Sequence, residues 1–119
     1  MIDNIELKDV EEELSKIFNK IKDKTVIVEG KRDREVLYSF GFTKIITINH
    51  GLYETAEKCA GKETVILTDY DREGRTIAKR LTLFLQQLDC KIDFVNRTRI
   101  GLMFSKLKIK TIEELKSLR

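Results

Sequence analysis

The sequence predicts an α/β domain: a Rossmann-like, four-stranded parallel sheet with helices on both faces and a further helix at each end of the chain. Three observations lead there. Short β-branched runs alternate with amphipathic stretches of helical length. That alternation at this spacing favours parallel pairing through right-handed crossovers. No proline, repeat or low-complexity linker interrupts the 119 residues, so a single domain is expected over 1–119, with its core at about 24–96.

The elements follow in order. Leu7, Val10, Leu14, Ile17, Phe18 and Ile21 recur at three- and four-residue steps, which predicts a helix over about 7–22 with an acidic start and a lysine-rich end. Thr25 to Glu29 is a β-branched run suited to a strand buried on both faces. A helix from about Asp33 to Phe40 ends at Gly41. Lys44 to Ile48 reads as the second strand, and Leu52 to Ala60 as a helix closed by Gly61. Thr64 to Thr68 is the third strand, Glu73 to Leu88 the longest central helix and Lys91 to Val95 the fourth strand. Thr111 and Glu114 have the spacing of a capping box, which predicts a last helix over Ile112 to Leu118.

Composition narrows the chemistry. An apolar fraction of 41% against 36% charged residues suits a globular domain with a well-charged surface. No apolar run approaches the roughly 20 residues of a membrane span, and Met1 to Asn4 lack the pattern of a leader segment, so no membrane partner and a cytoplasmic location are expected. Cys59 and Cys90 stand 31 positions apart and His50 is the lone histidine, which argues against a disulfide scaffold and a zinc centre. A metal here is expected on carboxylates, hence Mg2+ or Mn2+. The net charge is only +3, but residues 91–119 carry eight basic and three acidic side chains, and five bases with no acid lie between Arg97 and Lys110. This segment, 97–119, reads as a basic C-terminal extension.

Open parallel sheets bind ligands beyond the carboxyl ends of their strands. After the first strand stands Glu29-Gly30-Lys31-Arg32-Asp33, and after the third Asp69-Tyr70-Asp71-Arg72-Glu73-Gly74-Arg75. Asp69 and Asp71, two apart in extended backbone, project to the same side and form an oxygen-ligand pair for a hard cation. Glu29 joins them if the first and third strands are neighbours, as a third ligand or as a general acid/base. Gly30 and Gly74 are read as sharp turns close to a phosphate. Lys31, Arg72, Arg97 and Arg99 are the candidate contacts to a polyanion. Asp33 is placed either in the supporting loop or as an ordinary helix N-cap, while Arg32, Glu73 and Arg75 suit solvated helix positions.

With those residues in view, the chain resembles the Toprim superfamily. Val26-Ile27-Val28-Glu29-Gly30 is similar to its glutamate motif, and Asp69-Tyr70-Asp71-Arg72-Glu73-Gly74 to its Asp-x-Asp-x-x-Gly motif. That superfamily includes bacterial-type primases, type IA and type II topoisomerases, nucleases, and a ribonuclease that matures ribosomal RNA. The resemblance implies a Rossmann-like sheet, magnesium on Asp69 and Asp71, and Glu29 as acid/base or additional ligand. Arg75 stands where type IA topoisomerases carry glutamate, and the chain has no room for a domain bearing a nucleophilic tyrosine. The resemblance therefore implies a magnesium-dependent nuclease or phosphoryl-transfer activity on RNA or DNA. Two alternatives remain open: a non-catalytic nucleic-acid or ribonucleoprotein binding module, and a receiver-like acidic-site regulator.

Overall fold

The central strand pattern is a period of two. Val26 and Val28 bury their side chains in one core, while Ile27 between them belongs to another on the opposite face; Val65 and Leu67 against Ile66 repeat the division. A strand that must be apolar on both sides can only lie inside a sheet covered twice. The computed structural model, which describes residues 4–118, has this arrangement. Met1 to Asp3, read above for a leader segment, and Arg119 of the basic extension lie outside those residues.

Strands β1 (Thr25–Val28), β2 (Lys44–Thr47), β3 (Glu63–Ile66) and β4 (Lys91–Ile92) form one parallel sheet in the order β2-β1-β3-β4. Helices α1 (Asn4–Ile21), α2 (Lys31–Ser39) and α5 (Phe94–Leu107) cover one face, together with a closing 3-10 helix (Ile112–Leu118). Helices α3 (Leu52–Glu57) and α4 (Arg72–Gln87) cover the other. The chain leaves β1 towards β2 on one side, then returns past it to β3 on the other. Strand order therefore reverses between β1 and β3, and the connections from their carboxyl ends part to opposite faces, opening a crevice there.

Two expectations need correction. The fourth strand stops at Ile92, and residues 94–107 form α5 where a strand end and a basic tail had been expected. The reason is a cap. The Asp93 carboxylate accepts from the Asn96 backbone amide at 2.9 Å and from the Asn96 side chain at 2.7 Å, and Lys24 holds it at 3.0 Å. Once started, the helix buries Ile100, Met103 and Phe104 on the α1 side of the sheet. The last helix does follow its Thr111–Glu114 capping box, with the Thr111 amide and hydroxyl both 3.0 Å from the Glu114 carboxylate, but winds as 3-10.

The short β4 leaves β3 a structural problem. It pairs with Glu63 and Thr64 alone, so further along β3 the carbonyls of Ile66 and Thr68 face a neighbour that is missing. Arg97 fills the gap: its Nη1 donates to both carbonyls, at 2.9 and 3.0 Å, and Nη2 reaches the Asp69 carbonyl at 3.4 Å. The guanidinium lies 4.4 Å from the centre of the Tyr70 ring, and the Tyr70 hydroxyl donates back to the Arg97 carbonyl at 2.8 Å. Arg97 thus serves as a substitute for two residues of strand. Arg99 is also engaged, in an ion pair with Glu13 of α1 at 2.8 Å.

Arg97→Met keeps the stem and removes every donor, leaving the β3 carbonyls unsatisfied. It is expected to destabilise the fold by about 2 kcal/mol or more, with Arg97→Lys intermediate because an ammonium cannot reproduce the planar fork. Urea unfolding of the three proteins measures this; a loss of less than about 0.5 kcal/mol would show that water replaces the guanidinium.

Candidate metal centre

Glu29 is the first residue beyond β1, and Asp69 and Asp71 follow β3, so the reversal of strand order brings all three to the crevice. One carboxylate oxygen from each lies within 4.8 Å of the others. Each is also tethered through one oxygen by a backbone amide. Glu29 Oε2 accepts from the Asp69 N–H at 2.8 Å, Asp69 Oδ1 from the Ile112 N–H at 2.9 Å, and Asp71 Oδ1 from the Gly74 N–H at 2.8 Å. Among the described residues no backbone amide, lysine or arginine donates to the second oxygen of any of the three. Three half-buried carboxylates with fixed orientation fit a hard divalent cation that takes oxygen ligands.

The electrostatics agree with that fit. Burial raises the Glu29 and Asp69 carboxyls above the usual range, and their neighbours' negative charges raise them further. Asp33 behind them is buried, and desolvation followed by the charge of Asp69 lifts it to about 6. Asp33 is not the N-cap. Helix α2 begins at Lys31, and Asp33 in its first turn accepts from the Gly30 N–H at 3.1 Å, reaching back as the second member of a capping box does. Asp71 is an N-cap, of α4, and this local role is what aims it.

The two glycines differ. Gly74 packs its α-carbon against the backbone of Asp69 so closely that a Cβ would collide with the Asp69 carbonyl. The Thr68 hydroxyl donates to the Gly74 carbonyl at 2.7 Å, closing the same contact from the other side. The tight approach is to the chain's own metal loop. Gly30 needs no glycine conformation, being extended at φ −151°, and the space beside it is open. The chain does bend at Glu29 and Gly30, but through extended backbone that any residue adopts.

Lys31 and Arg72 stand exposed at the first positions of α2 and α4, on either side of the crevice. Arg97 and Arg99 are held within the protein as described above. Two contributors escaped the sequence reading. Ile112 orients Asp69 through a backbone amide, which no side-chain pattern can announce. Glu113 adds negative charge that raises both Asp33 and Asp69, and it lies 3.9 Å from Arg32.

Residues 24–107 match the family model of the Toprim domain. The chain belongs to the Toprim family. The match runs from β1 through α5. Among its relatives, the UPF0292 protein of Pyrococcus abyssi is 39% identical over 112 residues, covering 87% of this chain and 84% of the relative. The UPF0292 protein of Methanocaldococcus jannaschii is 33% identical over 113 residues, covering 87% and 88%. This places the Toprim chain within the UPF0292 group. A solved structure of an Aquifex aeolicus protein shares the fold, with a TM-score of 0.68 and 24% identity over 90% of this chain and 95% of that one. Among the described residues no helix is long and apolar enough to cross a membrane.

Two outcomes follow for the Toprim centre. Asp33 binds its proton more tightly folded, at about 6, than unfolded, near 3.9. Stability of the metal-free protein should therefore fall as pH rises from about 4 to 6 and stay lower above that, against the usual trend for acids. Melting in EDTA across that range checks it, and Asp33→Asn should flatten the slope; equal slopes would assign the effect to other groups. Magnesium at neutral pH should raise the melting temperature of the wild type. Asp69→Asn, relieved of one repelling charge, should melt higher without metal and show no magnesium shift. A shift retained in Asp69→Asn would put the cation elsewhere.

Proposed function

We propose that this Toprim protein is a Mg2+-dependent enzyme that cleaves or transfers nucleic-acid phosphodiesters. The observation that carries the reading is the set of three amide-tethered carboxylates at the switch point of the sheet. Asp69 and Asp71 would hold the cation, Asp71 tethered at the N-terminus of α4 and Asp69 by an amide of the closing 3-10 turn, with Glu29 beside them. A bound Mg2+ or Mn2+ would supply charge neutralisation at a phosphoryl oxygen and a template for in-line attack. Glu29 serves in one of two roles, as a third ligand or as the group that exchanges a proton with the attacking or departing oxygen. Lys31 and Arg72 meet the non-bridging oxygens at the rim. The amino-terminal ends of α2 and α4 point at the same crevice and favour an anion there.

Arg97 and Arg99 take a different part in this reading from direct phosphate contact. Arg97 keeps Asp69 in place through its carbonyl, and Arg99 fastens α5 to α1. Tyr70, although it lies between two ligands, is no nucleophile: its hydroxyl is committed to the Arg97 carbonyl and burial pushes its pKa up.

The decisive measurement is Mg2+-dependent cleavage of a panel of structured RNAs and of single- and double-stranded DNAs. Wild type should cleave at least one class, and Asp71→Asn and Glu29→Gln should each lose about 100-fold or more. Binding without turnover in the wild type would favour a nucleic-acid binding module instead. Cleavage unchanged in both variants would remove the carboxylates from the chemistry.

A further inference from the structure

Behind the Asp69–Asp71 loop lies a second concavity of about 720 Å3, between the first turn of α4 and the carboxyl end of α5. Tyr70 and Phe104 line it, their rings in edge contact at 5.0 Å. Arg75 stands over it from α4, and Lys108 and Lys110 from the turn after α5. No carboxylate lines it, and Arg75, Lys108 and Lys110 form no ion pair among the described residues. The acid nearest Lys110 in sequence, Glu114, accepts from the Lys110 and Thr111 amides at 2.9 and 3.0 Å, and its negative charge acts on Lys110. Arg75, Lys108 and Lys110, with the Arg97 guanidinium also in the lining, concentrate positive charge on one concavity that Glu114 offsets only at Lys110, and an anion relieves the remaining repulsion.

Lys108 supplies a second and independent observation. It ends α5 in the left-handed conformation, φ 59° and ψ 39°, where glycine is the favoured residue. The backbone gains nothing from a lysine at this position. Its ammonium is suited to the carbonyl end of α5, but the last turn is already closed by the Lys108 and Ile109 amides, at 3.1 and 3.0 Å. The side chain is then free to serve the concavity.

The place of the cavity relates it to the carboxylates. Tyr70 separates Asp69 from Asp71 in the chain while its ring forms a wall of the cavity, and its amide donates to the Lys110 carbonyl at 2.6 Å. Arg75 sits one turn into the helix that Asp71 caps. Gly101 on α5 lets the ring lie flat: a Cβ there would stand 2.7 Å from Tyr70 Cε1. We propose that this cavity binds a phosphate group of the nucleic-acid strand, the one neighbouring the phosphodiester presented to Glu29, Asp69 and Asp71. The inference rests on the phosphodiester reading of that cluster and adds where the flanking strand is gripped. A cavity of this size accommodates a nucleotide unit.

The full chain in EDTA is titrated with fluorescein-labelled single-stranded oligouridylate and oligothymidylate over a range of salt. Lys108→Gly should melt at the same temperature as wild type or higher, because glycine suits the left-handed backbone. It should nonetheless bind both oligonucleotides about three- to tenfold more weakly, with a salt slope lower by about one. Arg75→Ala should weaken binding likewise, while Lys44→Ala, the same loss of charge at the opposite end of the strands, should leave it unchanged. Equal affinity and slope in Lys108→Gly and Lys44→Ala would overturn the proposal. A weakened Lys108→Gly alongside wild-type protein that never cleaves in Mg2+ would uphold the phosphate cavity and overturn the catalytic reading, so the two fail separately.

Discussion

Three carboxylates held within a few ångströms of one another repel, and the rest of this structure can be understood as the means of holding them there. Each is fixed by a backbone amide from a different part of the chain: the start of the metal loop itself, the first turn of α4, and the closing 3-10 helix. An amide is a suitable anchor because it brings positive dipole without a flexible charged side chain that would compete with a cation for the same oxygen. The carboxyls of Glu29, Asp69 and Asp33 are raised first by burial and then by the negative charges of their neighbours. A divalent cation is the natural complement to that negative charge.

Much of the architecture follows from supplying those anchors. Asp69 needs the Ile112 amide, so the chain after α5 must return over the carboxyl end of the sheet, which the Tyr70–Lys110 hydrogen bond and the Thr111–Glu114 cap arrange. The carbonyl side of the same loop is held by Arg97. That arginine is available because β4 ends after two residues and Asp93 starts a helix. A longer fourth strand would satisfy β3 by itself but would remove both α5 and the cavity behind Tyr70.

The motif residues were legible because their chemistry is carried by side chains at short spacing. Glu29 after one β-branched run, and Asp69 and Asp71 after another, needed only the inference that the two strands are neighbours. The switch between faces was legible in Val26, Ile27 and Val28. Helix α5 was missed although its signals were present: Asp93 three residues before Asn96, then Ile100, Met103, Phe104 and Leu107 at helical steps. The apolar Phe94-Val95 pair drew the strand onward, and the basic residues that follow looked like a solvated tail. The engagement of Arg97 and Arg99 within the protein was hidden for the same reason. A guanidinium bonded to carbonyls has the same sequence appearance as one waiting for phosphate.

By itself, the sequence determined the α/β class, the doubly covered sheet and the identity of the three acids, because these depend on local periodicity and on residue type. The tertiary structure decided which groups orient those acids and which cations remain free beside them. Ile112 reaches Asp69 across 43 positions, Glu29 meets the Asp69 amide across 40, and Arg97 reaches the β3 carbonyls across 31 and 29. Such contacts rest on backbone atoms that every residue shares, so no residue type records them; only the folding of distant segments onto one sheet edge brings them into being.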